Sequence, residues 1–233
     1  MSTWSEYRID EIGEVVGGGT PSSKISSYWN GDIGWITPND LSGYQFRYIS
    51  NGSRDITNLG LKKSSAKLHP KNTVLMTSRA PIGYLAIAEK PVATNQGFQS
   101  IRCKENIADY RFIYYLLEAY KEGIASIASG ATFPEVSGSK LKQYKINLPT
   151  LPIQQKIAKI LSNYDDLIEN NLKRIYLLEE SAMLTYEEWF LRFRVDGKKL
   201  DIDPESGLPF GWLNKSFADV FNINNGFAFE SED

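Results

Sequence analysis

The chain has 233 residues, 42% hydrophobic, 23% charged and 12% aromatic, which supplies a buried core and excludes wholesale disorder. Its formal net charge is −2, and one cysteine (Cys103) and one histidine (His69) exclude an internal disulfide framework, most zinc sites and any paired-histidine chemistry. No apolar run reaches the roughly 18 residues that cross a bilayer, and Met1 to Glu6 offers neither a basic nor an apolar signal region, so a cytoplasmic protein without a membrane segment is expected.

In chain order, residues 1–150 mix short β-like runs with turn residues. The runs 33–37, 46–49, 73–77, 84–88 and 98–101 read as strands. Gly17-Gly18-Gly19-Thr20-Pro21, Pro38-Asn39-Asp40 and Ala80-Pro81-Ile82-Gly83 punctuate them. Between Ala108 and Glu122, Phe112, Tyr115, Leu116 and Ala119 recur at helical spacing, which predicts a helix ending before Gly123. The order predicts an α+β domain, not an alternating βαβ series.

From Pro149 and Pro152 a long helix is predicted, because no Pro or Gly occurs again until Gly197. Ile157, Leu161, Tyr164, Ile168, Ile175, Leu178, Ala182 and Trp189 fall in one heptad seam, with Asn171 and Thr185 at the remaining positions. Helix from Ile153 to Arg192 measures roughly 60 Å at ~1.5 Å per residue. Its seam calls for another helix, and Ile157, Leu161, Ile168, Asn171, Ile175 and Leu178 are the expected pairing positions. A buried asparagine there sets register at some cost in stability.

Residues 195–209 read as a linker. The stretch after it echoes the start of the chain. With Trp212 laid on Trp4, Phe217 falls on Ile9, Asp219 on Glu11, Val220 on Ile12, Ile223 on Val15 and Gly226 on Gly18, at a constant offset. The division is therefore a globular domain over 1–150, a long helix over 151–194, and a linker with the opening of a second domain over 195–233.

Charge is unevenly spread. Residues 1–150 carry 17 Lys+Arg against 13 Asp+Glu, residues 151–233 carry 9 against 15, and residues 47–79 carry seven cations against Asp55 alone. Phosphate binding depends on such a local patch and not on the net sum. Catalytic signatures do not appear: no Gly-Lys-Ser/Thr succeeds the glycines, no Gly-x-Ser-x-Gly is present, and Thr37-Pro38-Asn39-Asp40 lacks the second proline and the aromatic of an amino-methyltransferase motif. Instead, Thr77 to Gly83, Thr94 to Phe98 and Gly130 to Lys140 hold polar side chains in turns. Arg reads guanine, Asn and Gln read adenine, and Lys, Ser and Thr hold phosphates. The expected DNA contacts are Lys62, Lys63, Lys67 and Lys71 at phosphates, with Arg79, Asn95, Gln96, Thr132 and Lys140 near the groove. Trp29 and Trp35 are expected in the core.

At these residues the chain resembles the specificity (S) subunits of type I restriction–modification systems. The resemblance runs through Gly18-Gly19-Thr20-Pro21, Tyr28 to Leu41, Ser78-Arg79-Ala80-Pro81-Ile82-Gly83, Thr94-Asn95-Gln96-Gly97-Phe98, Leu148 to Ile157 and the helix after it. It implies that residues 1–150 are a target recognition domain reading one half of a split double-stranded DNA site. It also implies that the helix is the conserved spacer, and that the chain is a specificity subunit without a catalytic site. Cofactors then belong to partners: S-adenosylmethionine to the methyltransferase (M) subunit, ATP and Mg to the restriction (R) subunit. The chain departs from the family in length, holding one recognition domain, one spacer and a stub of a second domain. Two chains pairing through the helix as a homodimer are therefore expected. The other reading is a non-DNA helical adaptor.

Overall fold

The computed structural model describes residues 4–79, 81–130, 134–222, 224 and 226. The chain divides into two compact units, Met1–Asn171 and Leu172–Asp233, and its fold is α+β, as the order of elements predicts.

In the first unit the order is β1 (Ser5–Arg8), α1 (Ile9–Ile12), β2 (Gly13–Gly17), β3 (Trp29–Ile36), β4 (Tyr48–Ile49), α2 (Asn58–Lys62), β5 (Leu68–His69), β6 (Val74–Met76), β7 (Leu85–Ala88), β8 (Val92–Thr94) and β9 (Gln99–Cys103). Then come α3 (Tyr110–Ala119), α4 (Lys121–Ser126), α5 (Gly138–Gln143), β10 (Lys145–Leu148) and α6 (Leu151–Tyr186), the last of which continues into the second unit. Strands form a five-stranded sheet in the order β2-β9-β6-β7-β4, a three-stranded sheet β3-β8-β5, and the pair β1-β10. The β4–β7 and β3–β8 pairings are parallel.

Side-chain alternation sets the layers, since successive strand residues point to opposite faces. On β6, Val74 and Met76 join α1, α3 and α5 in a core with Ile9, Ile12, Ile101, Phe112, Ile113 and Leu117. Leu75 faces the other way, into a second core with Ile36, Ala86, Ala88, Val92 and Phe98. Trp35 and Ala93, alternating with Ile36 and Val92, build a third with Trp29, Ile56 and Ala66. Both tryptophans are buried, as expected, and meet edge to face at 5.0 Å between ring centroids.

Both predicted helices are borne out, and two readings are corrected. The predicted helix over 108–122 begins at Asp109, whose carboxylate accepts from the amides of Arg111 (3.0 Å) and Phe112 (3.2 Å). It ends at Ala119, before Gly123 as expected, and a separate short helix, α4, follows with Gly123 in its interior, where burial of Ile124 outweighs the glycine's poor helical propensity. Strands β1, β2, β5, β8 and β10 escape a search for alternating runs because most are two to four residues long or bracketed by glycine. The long helix runs from Leu151 to Leu191, as expected, but its last turn, Glu187–Leu191, is widened: the Arg192 amide reaches back five residues to the Glu187 carbonyl (2.9 Å). Finally, the stretch read as linker is built: β11 (Arg194–Val195) pairs with β12 (Lys198–Lys199), turning on Asp196 (φ 50°) and Gly197 (φ 74°), the left-handed pair a tight hairpin requires.

The sequence echo has a structural counterpart. Helix α7 (Phe217–Val220) stands 208 residues after α1, residue for residue. The Arg8 amide donates to Glu11 (2.6 Å) and the Ser216 amide to Asp219 (2.9 Å). Each helix closes with an amide donating to its first carbonyl, from Gly13 to Ile9 and from Phe221 to Phe217. Burial differs: Ile9 and Ile12 are fully buried, whereas Phe217 and Val220 are 72% and 64% exposed.

Helix α6 meets the first unit along Gln154, Ala158 and Ser162, spaced one turn apart and all buried. Gln154 donates to the carbonyls of Ile107 (3.0 Å) and Pro149 (2.9 Å) and accepts from the Asp109 amide (3.1 Å). One turn further, the buried Arg47 ion-pairs with Asp165, Asp166 and Glu169, and Tyr115 donates to Asp165 (2.6 Å). Among the described residues no helix is long and apolar enough to cross a membrane. Arg47→Leu is expected to lower the unfolding free energy by about 3 kcal/mol, because Glu169 is left buried and unpaired; chemical denaturation monitored by circular dichroism checks it.

Candidate nucleic-acid interface

Six loops of the first unit converge, and backbone hydrogen bonds tie them together. Gly19 donates to Thr94 (2.8 Å), Asn95 to Ile36 (3.0 Å), Ser78 to Gly97 (2.7 Å) and Val136 to Ser78 (2.9 Å). The Trp35 indole donates to the Gly19 carbonyl (2.9 Å), and the Thr20 hydroxyl bonds the Gln96 side-chain oxygen. Approach is close enough that a Cβ on Gly18 would lie 2.0 Å from the Asn95 carbonyl oxygen, and one on Gly19 2.4 Å from Ser65. Glycine is thus required for the contact itself. The loops after β2, β3 and β6, those before β5 and β9, and the segment around Glu135 share one end of the sheets.

Thr37-Pro38-Asn39-Asp40 is a turn within this cluster. Asp40 accepts from the Thr37 amide (2.8 Å) and hydroxyl (2.6 Å) and from the Ser53 amide (2.8 Å). Burial raises its pKa, but these bonds outweigh it and hold the carboxyl below its ordinary value. Burial, then the charge of Asp109, pushes the Cys103 thiol up to about 12, which keeps it protonated at neutral pH.

The expected contact residues are dispersed. Lys62 and Lys63 lie exposed at the end of α2, and Lys67 is exposed before β5. Lys71 is exposed too, but β5 runs antiparallel to β8 with Leu68 opposite Ala93 and His69 opposite Val92. Lys67 therefore lies at the Thr94 end, with the converging loops, and Lys71 at the other. There it lines a cavity of about 410 Å³ with Asn72, Arg102, Asp109 and Gln155. This register separates Lys71 from Lys67, with which it was expected to act.

Arg79 is half-exposed, its Nε 3.1 Å from a Glu135 carboxylate oxygen. Gln96 is exposed and Asn95 half-buried. The Asn95 side-chain oxygen accepts from the Gly97 amide (2.9 Å), closing its own turn. The Lys140 ammonium donates to the Ile127 carbonyl (2.8 Å) at the end of α4, a helix-capping contact. Thr132 lies outside the described residues. In the positive stretch 47–79, Arg47 is withdrawn into its ion pairs, and the Arg54 guanidinium stacks 4.0 Å over the Trp29 ring.

On α6, Ile157 is half-buried against the core of its own unit, which corrects its place among the pairing positions. Leu161, Ile168, Asn171, Ile175 and Leu178 are exposed, Leu161 by 38% and Leu178 by 67%. Sequence reasoning missed Ile160 and Leu167, also half-exposed, which widen the stripe. Their signal was their place beside the seam. It also missed Glu135, which no local pattern singles out.

His69 is fully buried, its Nε2 3.2 Å from the Thr94 hydroxyl beneath the Gly19 contact. Burial first, and then Arg102, lowers its pKa from 6.5 to about 4.

Residues 1–180 match the family model of the type I restriction modification DNA specificity domain. The MjaIX specificity subunit of a type I restriction enzyme from Methanocaldococcus jannaschii is 44% identical over 232 residues, covering 96% of this chain and 52% of that one. Among solved structures, a type I restriction–modification S subunit from M. genitalium superposes with a TM-score of 0.61 at 21% identity, over 82% of this chain and 46% of the other. A chain from a structure on complex assembly and conformational transition of the type I R-M system gives 0.57 at 19% identity, over 79% and 43%. The chain spans about half the length of the relatives it matches.

A buried histidine with a depressed pKa binds its proton more weakly in the folded chain than in the unfolded one. Its contribution is therefore full above pH 6.5 and is lost as pH falls through about 4. The expected loss is about 3 kcal/mol. His69→Gln, which keeps a donor and cannot be protonated, should flatten the pH dependence of the unfolding free energy across that window relative to wild type.

Proposed function

The chain belongs to the type I restriction modification DNA specificity family, and from that premise we propose that it is the DNA-reading component of a type I restriction–modification complex, itself without a catalytic site. The match of residues 1–180 to the specificity domain is the observation that carries this reading, and the loop convergence supports a DNA-facing surface at that end of the sheets. Lys62, Lys63 and Lys67 hold backbone phosphates and set register, while Arg79 and Gln96 address base edges. Lys71, Asn95 and Lys140 lie elsewhere or are engaged locally. Residues 1–150 act as the recognition domain, α6 as the spacer, and residues 212–222, which repeat the opening of the chain, as the start of a second domain.

In the cytoplasm, the chemistry belongs to partners: an M subunit binding S-adenosylmethionine and methylating adenine, and an R subunit using ATP and Mg to move and cut DNA. The exposed stripe of α6 pairs with the same stripe of a second chain, antiparallel, around Ile168. Two heads related by a two-fold axis address an inverted repeat.

Two measurements test the reading. Binding to a duplex carrying its selected site should weaken steeply with salt, because neutralised phosphates release counterions; an affinity indifferent to salt sinks the assignment. Light scattering should report a dimer at micromolar concentration for wild type and a monomer for Ile168→Glu, with the head still folded. A wild-type monomer refutes the pairing.

A further inference from the structure

Glu135 is an anomaly at a surface meant for a polyanion. Its backbone is held from two sides, exchanging hydrogen bonds with Ser129 (2.9 and 3.0 Å) and bridging to Arg79. The next residue donates to the Ser78 carbonyl. The backbone that carries the carboxylate therefore cannot leave the loop cluster without breaking this pairing. Its side chain is 34% exposed and that of Arg79 48%, and among the described residues each is the other's sole ion-pair partner. The contact runs through the Arg79 Nε, and among the described residues the two terminal nitrogens of the guanidinium have no hydrogen-bond partner, which leaves them to a ligand.

A carboxylate so placed repels phosphates and cancels the charge that would draw Arg79 to any of them. It does not block a bidentate contact through the arginine's terminal nitrogens, which matches the paired acceptors N7 and O6 of guanine. Specificity is a difference between affinities, and weakening the wrong contact raises it as surely as strengthening the right one.

We propose that Glu135 is a specificity-determining residue: its ion pair with Arg79 suppresses contact with backbone phosphate and reserves the guanidinium for a guanine edge in the DNA site. The inference rests on the DNA-reading function proposed above and deepens it.

The test uses the full 233-residue chain. Two probes are needed: a duplex recovered by selection from a randomised duplex library, and a scrambled duplex of the same composition, each titrated over a salt series. For Glu135→Gln, affinity for the scrambled duplex should rise about tenfold, with a much smaller change on the selected duplex. Its salt slope should steepen by roughly one phosphate contact. Glu135→Asp, which keeps the charge, should retain the wild-type slope. In an Arg79→Ala background Glu135→Gln should leave the slope unchanged, because the carboxylate acts through the arginine. The inference is overturned if Glu135→Gln matches wild type in slope and discrimination, or if it raises affinity equally with and without Arg79, which is general charge repulsion. A wild-type chain that prefers no duplex at all overturns the DNA-reading function itself, a result visible before any variant is made.

Discussion

The long helix is fastened to its head by Ile157 and Ala158, packed against the core, and around them by an attachment of hydrogen bonds and charge. Gln154, Ser162, Asp165, Asp166 and Glu169 supply that attachment, with Ala158 as the small contact between them. Buried polar contacts are directional and costly to break singly, so Gln154 and Arg47 determine which face of the helix meets the head. A wider apolar attachment would have used Leu161, Ile168 and their neighbours. Because it does not, those side chains remain exposed and available for assembly.

The same division of labour governs the converging loops. Their positions are set by backbone hydrogen bonds and by two buried indoles, Trp29 and Trp35, whose ring nitrogens donate to the Ser22 and Gly19 carbonyls. Little of the loop geometry depends on the exposed side chains of Lys63, Lys67, Arg79 or Gln96. A scaffold of this kind tolerates change at the contact positions while the loop paths stay where the cores put them.

Much of this is legible in the chain itself. The five predicted strands, the long helix and its exposed seam come from periodicity, since a stripe at 3.5-residue spacing and an alternating strand are local patterns. What failed was non-local. Strand β5 is two residues long and exists only because β8 lies beside it. The register of that pair, invisible in sequence, separates Lys71 from Lys67. Arg47 reads as part of a basic surface patch, yet its partners lie more than a hundred residues away on α6. Asn95 and Lys140 have the right chemistry for DNA contacts, but their polar atoms satisfy nearby backbone. Glu135 gives no sign at all, because a single acid acquires meaning only from the arginine the fold brings to it.

The twin turns α1 and α7 share boundaries, capping and closing bonds in surroundings that differ completely. One is sealed inside a core, and the other stands in solvent. Its conformation is thus written in the four residues, whose third-position carboxylate caps the amide just before them, without help from tertiary structure. Such an element is portable: evolution can duplicate it whole, and each copy arrives already shaped. What a copy does not bring with it is a shelter for its two greasy side chains, and that must be assembled anew wherever it lands.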